Sequence, residues 1–283
     1  MASAFITGCS KGIGLETALA FGRKGYKVYA TMRNPGRDTA LAQRAAAEKL
    51  PVEISAMDVD SDESVKACFG ALGAAGQQID VLVNNAGIER LGSVEELPLA
   101  EFKAVMETNY FGAIRCIQAV VKQMRERESG CIINVSSVAG RMSITPISPY
   151  CASKWALEAL TEGLAAEMKT FHVRVALVEP GVIDTAMARR ISVDETVRSP
   201  YAQGRRFAAM FQNSLKTPVP PSLAAEVILE VAHSGTWTVR HPAGPDAIPF
   251  LQWRKGMTDE EWVSLNAADD ATWDARMAKD FGG

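Results

Sequence analysis

Thr7-Gly-Cys-Ser-Lys-Gly-Ile-Gly14 is the stretch on which the fold turns. An apolar run, Ser3–Thr7, leads into it, and apolar residues at helical spacing, Gly14–Lys24, follow. The glycines therefore punctuate a strand-to-helix turn. Gly8 permits the sharp reversal. Gly12 removes a side chain where a phosphate-bearing ligand must approach the backbone, and Gly14 lets the helix lie close to the sheet. The free amides and positive dipole of the helix start suit a pyrophosphate. The spacing, Gly-x3-Gly-x-Gly, is neither the usual dinucleotide fingerprint nor a P-loop. Its position after the first strand carries the reading.

Outward from this turn, apolar runs at Lys27–Thr31, Glu53–Met57, Val81–Asn84, Cys131–Val135, Arg174–Val178 and Trp237–Val239 alternate with helical patterns. The clearest of these helices are Ser61–Leu72, Leu99–Glu126, Cys151–Thr170 and Ser222–His233. Strand then helix, repeated, predicts a parallel sheet covered on both faces. With right-handed crossovers, the expected fold is α/β: a single doubly wound Rossmann-type domain of about seven strands, with ligands beyond the strands' carboxyl ends. Two stretches break the alternation. Residues 186–221 lack strands, carry Arg189, Arg190, Arg205 and Arg206, and read as an insertion forming a substrate lid. The arginines are read chiefly as a solvated helix face. The expected organisation is a dinucleotide-binding and catalytic domain over 1–247 and a C-terminal helical tail over 248–283. Thr258-Asp-Glu-Glu261 is a capping-box start for a helix in that tail, and Trp253, Trp262 and Trp273 predict that it docks.

Composition narrows the classes. Of 283 residues 47% are hydrophobic and 22% charged, the balance of a globular protein, and the net charge of -3 offers no field for nucleic acid or an anionic membrane. The five cysteines form no CxxC pair, and with three scattered histidines no metal site is expected. Reduced thiols, no leader, and no run of about 18 apolar residues predict a cytoplasmic protein. Cys9 and Cys151 adjoin candidate positions, from which sensitivity to thiol reagents is expected.

Further motifs lie at strand ends. Dinucleotide folds place an acid after the second strand for a free ribose, or an arginine for a 2′-phosphate. Here Ala30-Thr-Met-Arg33 has the arginine, and Lys11 adds a second cation, which favours NADP(H) while leaving NAD(H) open. Asp58 can accept from an adenine amine, beside Val59, and Asn84-Asn85-Ala86-Gly87 allows close approach to a ribose. Tyr150 and Lys154 share one helix face. A phenol is too weak a base alone, and a neighbouring ammonium is expected to lower its pKa. Ser137, after the fifth strand, can donate to a substrate oxygen.

These motifs, in this order and over about Met1–Ala247, resemble the short-chain dehydrogenases/reductases: Thr7-Gly-x3-Gly-x-Gly14, Asn84-Asn-Ala-Gly87, Asn109, Ser137, Tyr150-x3-Lys154 and Pro180-Gly181. The resemblance implies a catalytic tetrad of Asn109, Ser137, Tyr150 and Lys154. It implies that tyrosine exchanges the proton, serine polarises the carbonyl, and lysine binds the nicotinamide ribose. Asparagine would position a water linked to that lysine. The cofactor would lie along Gly8, Ser10, Lys11, Gly12, Ile13, Gly14, Arg33, Asp58, Val59, Asn85, Ala86, Gly87, Tyr150, Lys154, Pro180, Gly181, Ile183 and Thr185. Met32, where NAD-preferring relatives often carry an acid, agrees with NADP(H). Thr31-Met-Arg33 and His241–Ala247 look more narrowly like the branch holding 17β-hydroxysteroid and retinol dehydrogenases and bacterial reductases.

The activity implied is NADP(H)-dependent hydride transfer between nicotinamide and a secondary alcohol or ketone. The alternatives are NAD-dependent alcohol oxidation and a non-catalytic cofactor-binding regulator. Expected substrate walls are Arg141, Met142, Ile144, Pro146, Val182 and Met187, with Tyr201, Phe207, Met210 and Phe211 in the lid and Glu89 and Arg90 at the mouth. The family helices matching Leu99–Glu126 and Cys151–Thr170 predict a homodimer or homotetramer, with Ala152, Ala156 and Ala159 allowing close packing.

Overall fold

The structure, a computed structural model, describes residues 1–191 and 199–281; residues 192–198 of the expected lid and Gly282–Gly283 of the expected tail lie outside the described residues. Seven parallel strands form one sheet: β1 (Ser3–Ile6), β2 (Lys27–Met32), β3 (Val52–Ala56), β4 (Val81–Asn84), β5 (Gly130–Val135), β6 (Val173–Pro180) and β7 (Arg240–Ala243). Their order is β3-β2-β1-β4-β5-β6-β7. The direction of winding reverses between β1 and β4, which opens a crevice at their carboxyl ends.

The alternation of the strands builds two cores. Ala4 and Ile6 face α1 (Gly12–Arg23), α2 (Ala40–Ala47) and α8 (Pro221–His233), whereas Phe5 faces α3 (Asp62–Ala74), α5 (Gly112–Glu126) and α6 (Ser148–Lys169). Phe5 is fully buried, worth about 1.5–3 kcal/mol. The intervening helices are α4 (Leu99–Met106) and α7 (Gln203–Ser214); α9 (Ala247–Lys255), α10 (Asp259–Ala267) and α11 (Asp270–Phe281) form the tail. The predicted capping box starts α10, with Thr258 and Glu261 bonded reciprocally.

Two elements differ from the sequence reading. The seventh strand is Arg240–Ala243, not Trp237–Val239, and Trp237 stands half exposed. Apolar runs mark strands buried on both faces, but β7 is an edge strand paired only with β6, where Arg240, His241 and Pro242 are tolerated. The Leu99–Glu126 helix is continuous but widens into a π turn at Glu107–Phe111, a local feature that commonly marks function.

Candidate active site

The glycine turn is braced from β4. The Thr7 hydroxyl accepts from the amides of Asn85 and Ala86, each at 3.0 Å. The Asn85 amide donates to the carbonyls of Thr7 at 2.9 Å and Gly8 at 3.2 Å. Gly8 has φ +72, and a Cβ there would sit 2.8 Å from Ala86 Cα. Gly12 has φ +59, and its Cβ would lie 3.2 Å from Thr185 Cγ2 across the cleft. The N-cap of α1, Lys11, makes no side-chain cap and no acid stands in the first turn, so the helix start presents amides and positive charge. This cradle of bare backbone fits a pyrophosphate-bearing dinucleotide.

A cleft of about 360 Å³ runs from this loop along the strand ends, and all the cofactor candidates from Gly8 to Thr185 line it. Arg33, Asp58 and Asp60 stand at one end. Asp58 accepts from the Asp60 amide at 3.2 Å. Asp60 accepts from Thr108 at 3.0 Å and has its other oxygen buried without a partner. Burial raises the Asp60 carboxyl; Thr108 and Arg33 oppose that shift.

At the other end Ser137, Tyr150 and Lys154 converge. Ser137 follows β5 and caps a short 3₁₀ turn, Val138–Gly140, accepting from the Ala139 amide at 3.1 Å. Tyr150 lies in the first turn of α6, one turn before Lys154. Lys154 is 4% exposed and donates to the Val135 carbonyl at 2.8 Å, with its ammonium 5.5 Å from the Tyr150 ring centre. The expected lowering of the phenol is reversed: burial drives Tyr150 upward, Glu89 adds to the rise, and Ser137 opposes it. Desolvation is the largest cause of this rise. Burial likewise pushes Lys154 down to about 8, against the pull of Glu158.

Asn109 sits behind this cleft, in the π turn, and does not line it. Its side chain accepts from the Ile88 amide at 2.8 Å, and donates to the Ile88 carbonyl and to Ser153, both at 2.9 Å. The turn thus ties the loop after β4 to α6. Below Lys154 lies a buried ionic layer. Arg240 donates to Glu158 at 2.9 Å and stands 3.8 Å from Glu179, which burial raises to about 7.

Met142, Ile144, Val182 and Met187 line the cleft, as do Phe207, Met210 and Phe211 of α7. Arg141 does not: it points instead toward the buried Glu179, 3.8 Å away. Pro146 and Arg90 are also absent from the lining, and Tyr201 instead donates to Glu95 at 2.5 Å. Of the four arginines, Arg189 pairs with Asp184, and Arg205 and Arg206 pair with Asp270; Arg190 alone lines the cleft. Sequence reasoning missed Phe250, which reaches the cleft from α9, and Asp246, which accepts from the Val182 amide at 2.8 Å and braces the Pro180–Gly181 turn. The motif His241–Ala247 contained the signal for Asp246, whereas Phe250 lies beyond it. Cys9 and Cys151 are sealed, and burial pushes the Cys9 thiol up to about 12, which overturns the expected sensitivity to thiol reagents.

Comparison with known proteins gives a consistent picture. Residues 2–196 match the family model for short chain dehydrogenase. Bovine (Bos taurus) retinol dehydrogenase 8 is 43% identical over 185 residues, covering 64% of this chain and 58% of that protein, so the chain matches little more than half of that relative's length. A short-chain dehydrogenase structure from Streptomyces avermitilis superposes with TM-score 0.78 at 30% identity, covering 95% of this chain and 98% of the other. A single-site variant of the actinorhodin polyketide ketoreductase, solved with NADPH, superposes with TM-score 0.76 at 26% identity, covering 85% of this chain and 95% of the other.

Proposed function

The chain belongs to the short chain dehydrogenase family, and from that premise we propose that it is an NADP(H)-dependent oxidoreductase interconverting a secondary alcohol and a ketone. The observation carrying this reading is the convergence of the Tyr150 phenol, the Ser137 hydroxyl and the buried Lys154 ammonium in one cleft with the glycine loop. When bound, the nicotinamide supplies or accepts the hydride. The chain's own residues handle the proton and the charge. Ser137 donates to the substrate oxygen. Tyr150 gives that oxygen its proton during reduction and takes it back during oxidation. Reduction is the favoured direction, because NADPH usually drives reductions. Lys154, fixed by the Val135 carbonyl, holds positive charge beside the ribose position, while Asn109 braces the loop through Ile88. The dinucleotide would lie along Gly8–Gly14, Asp58–Val59, Asn85–Gly87 and Pro180–Thr185.

Arg33 and Lys11 in the lining support a 2′-phosphate and hence NADP(H). The described part of 186–221, chiefly α7, serves as a lid over the apolar half. Half-exposed Phe111 and Trp155, with Leu99 at 68% exposure, support a homodimer or homotetramer through α4, α5 and α6; the compartment proposed is the cytoplasm. Tyr150→Phe is expected to lower kcat on the order of 10³-fold with cofactor binding retained; substantial turnover defeats the mechanism. Arg33→Ala is expected to weaken NADPH at least tenfold more than NADH in a fluorescence titration, and equal losses defeat the phosphate contact.

A further inference from the structure

The turn after β6 bridges the glycine loop and the catalytic serine. At one end the Ser137 hydroxyl donates to the Pro180 carbonyl at 3.4 Å. At the other, a Cβ on Gly12 would lie 3.2 Å from Thr185 Cγ2. Between these points Gly181, Val182 and Ile183 line the cleft. Two bonds hold the turn from outside. The Gly181 amide donates to the Ala243 carbonyl of β7 at 2.9 Å, and the Val182 amide to Asp246 Oδ2 at 2.8 Å. The carboxyl lies flat against the turn: a Cβ on Gly181 would stand 2.1 Å from Asp246 Oδ1, and one on Gly244 3.0 Å from it. Asp246 does not line the cleft, and its Oδ1 is buried without a hydrogen-bond partner among the described residues. Burying such an atom costs free energy, and a carboxyl kept at that cost calls for a reason. The same residue is the N-cap of α9, where its carbonyl accepts from the Phe250 amide at 3.0 Å.

We propose that Asp246 is a positioning residue for the nicotinamide end of the cofactor: its carboxyl fixes the Val182 amide, and with it the backbone from Gly181 to Thr185 that would hold the nicotinamide. This rests on the oxidoreductase reading, which puts the hydride-transferring ring beside Ser137 and Tyr150. The grip on that ring is then set from outside the cleft, by a residue that touches no cofactor. The pyrophosphate end is held by other bonds, from Thr7 and Asn85, and is independent of it.

The test is calorimetric binding to the full chain of NADPH and of 2′-phospho-ADP-ribose, which lacks only the nicotinamide. Asp246→Ala is expected to weaken NADPH at least tenfold, about 1.4 kcal/mol, and 2′-phospho-ADP-ribose no more than twofold. Retained binding of the second ligand shows that the variant is folded, so a merely structural role does not produce this split. Asp246→Asn, which keeps an acceptor for the Val182 amide, is expected to stay within threefold of wild type for both. Should Asp246→Ala not fold, Gly244→Ala, which lies off the cleft and presses a Cβ toward Oδ1, is expected to give the same split. Equal losses for the two ligands, no loss for either, or an Asn variant as weak as the Ala variant overturn the proposal. NADH and ADP-ribose, titrated alongside, separate it from the NADP(H) reading. A loss confined to the nicotinamide-bearing member of each pair, without preference for the phosphorylated pair, supports Asp246 and defeats the choice of NADP(H). Preference for the phosphorylated pair with equal losses does the reverse, and binding of none of the four defeats both.

Discussion

The two halves of the cleft are made of different material. The half at β1 and β4 is backbone: glycines at φ +72 and +59, a helix start without a side-chain cap, and Asn85 holding the carbonyls in place. The half beyond β5 and β6 is side chain: methionines and phenylalanines from the loop before α6, from α7 and from α9. A backbone surface admits one shape of ligand, because each glycine leaves space only along a fixed path. A side-chain surface re-forms with each substitution. The first half is thus suited to an invariant partner and the second to a variable one.

The comparison can be broken in three ways. The largest expected effect lies in the packing behind the side-chain half, where Trp262 joins Met142, Val182 and Phe250. Trp262 is buried, donates to the Ser143 carbonyl at 2.9 Å and packs edge-on to Trp253 at 5.2 Å. Trp262→Ala is expected to cost about 3–5 kcal/mol in denaturant unfolding, with NADPH affinity within twofold of wild type. A tenfold loss of affinity would mean that the halves are not separable. In the backbone half, Gly8→Ala forces a side chain into left-handed backbone against Ala86, at a cost of roughly 2 kcal/mol. It is expected to abolish NADPH binding while leaving the packing at Trp262, followed by tryptophan fluorescence, unchanged.

The smallest effect belongs to the seam under β6. Glu179 has its folded pKa raised to about 7, first by burial and then by Glu158, so the folded state holds a proton that the unfolded state has released. Wild-type stability should therefore fall as pH climbs from about 4.5 to 7. Glu179→Gln is expected to flatten that fall by on the order of 1 kcal/mol, read as Tm against pH, because the proton is shared with Glu158. An unchanged slope would show that Arg240 keeps the carboxyl ionised.

What was legible in the sequence follows from the same division. Gly8, Gly12 and Gly14 announce themselves because no other residue meets their local demands, and Tyr150 and Lys154 because helical spacing alone puts them on one face. The parallel sheet was legible from runs buried on both sides. The edge strand β7 was not, since its residues satisfy one neighbour and solvent rather than a hydrophobic pattern. Glu158 and Arg240 lie 82 positions apart, and no local periodicity links them. Asn109 was found only by resemblance; its grip on Ile88 depends on a π turn that helical periodicity does not register. Phe250 reaches the cleft only because the tail folds back, which the tryptophans announced without saying where.

The tail is moored to α7. Arg206 donates to Asp270 at 2.5 Å and to the Ala268 carbonyl at 2.6 Å and lies over the Trp273 ring, while Gln203 donates to the Asn266 carbonyl at 3.2 Å. A lid built on α7 would have to carry these contacts with it when it opened. Residence time in the cleft and the protection of α10 and α11 against amide exchange or proteolytic nicking would then be two readings of one opening.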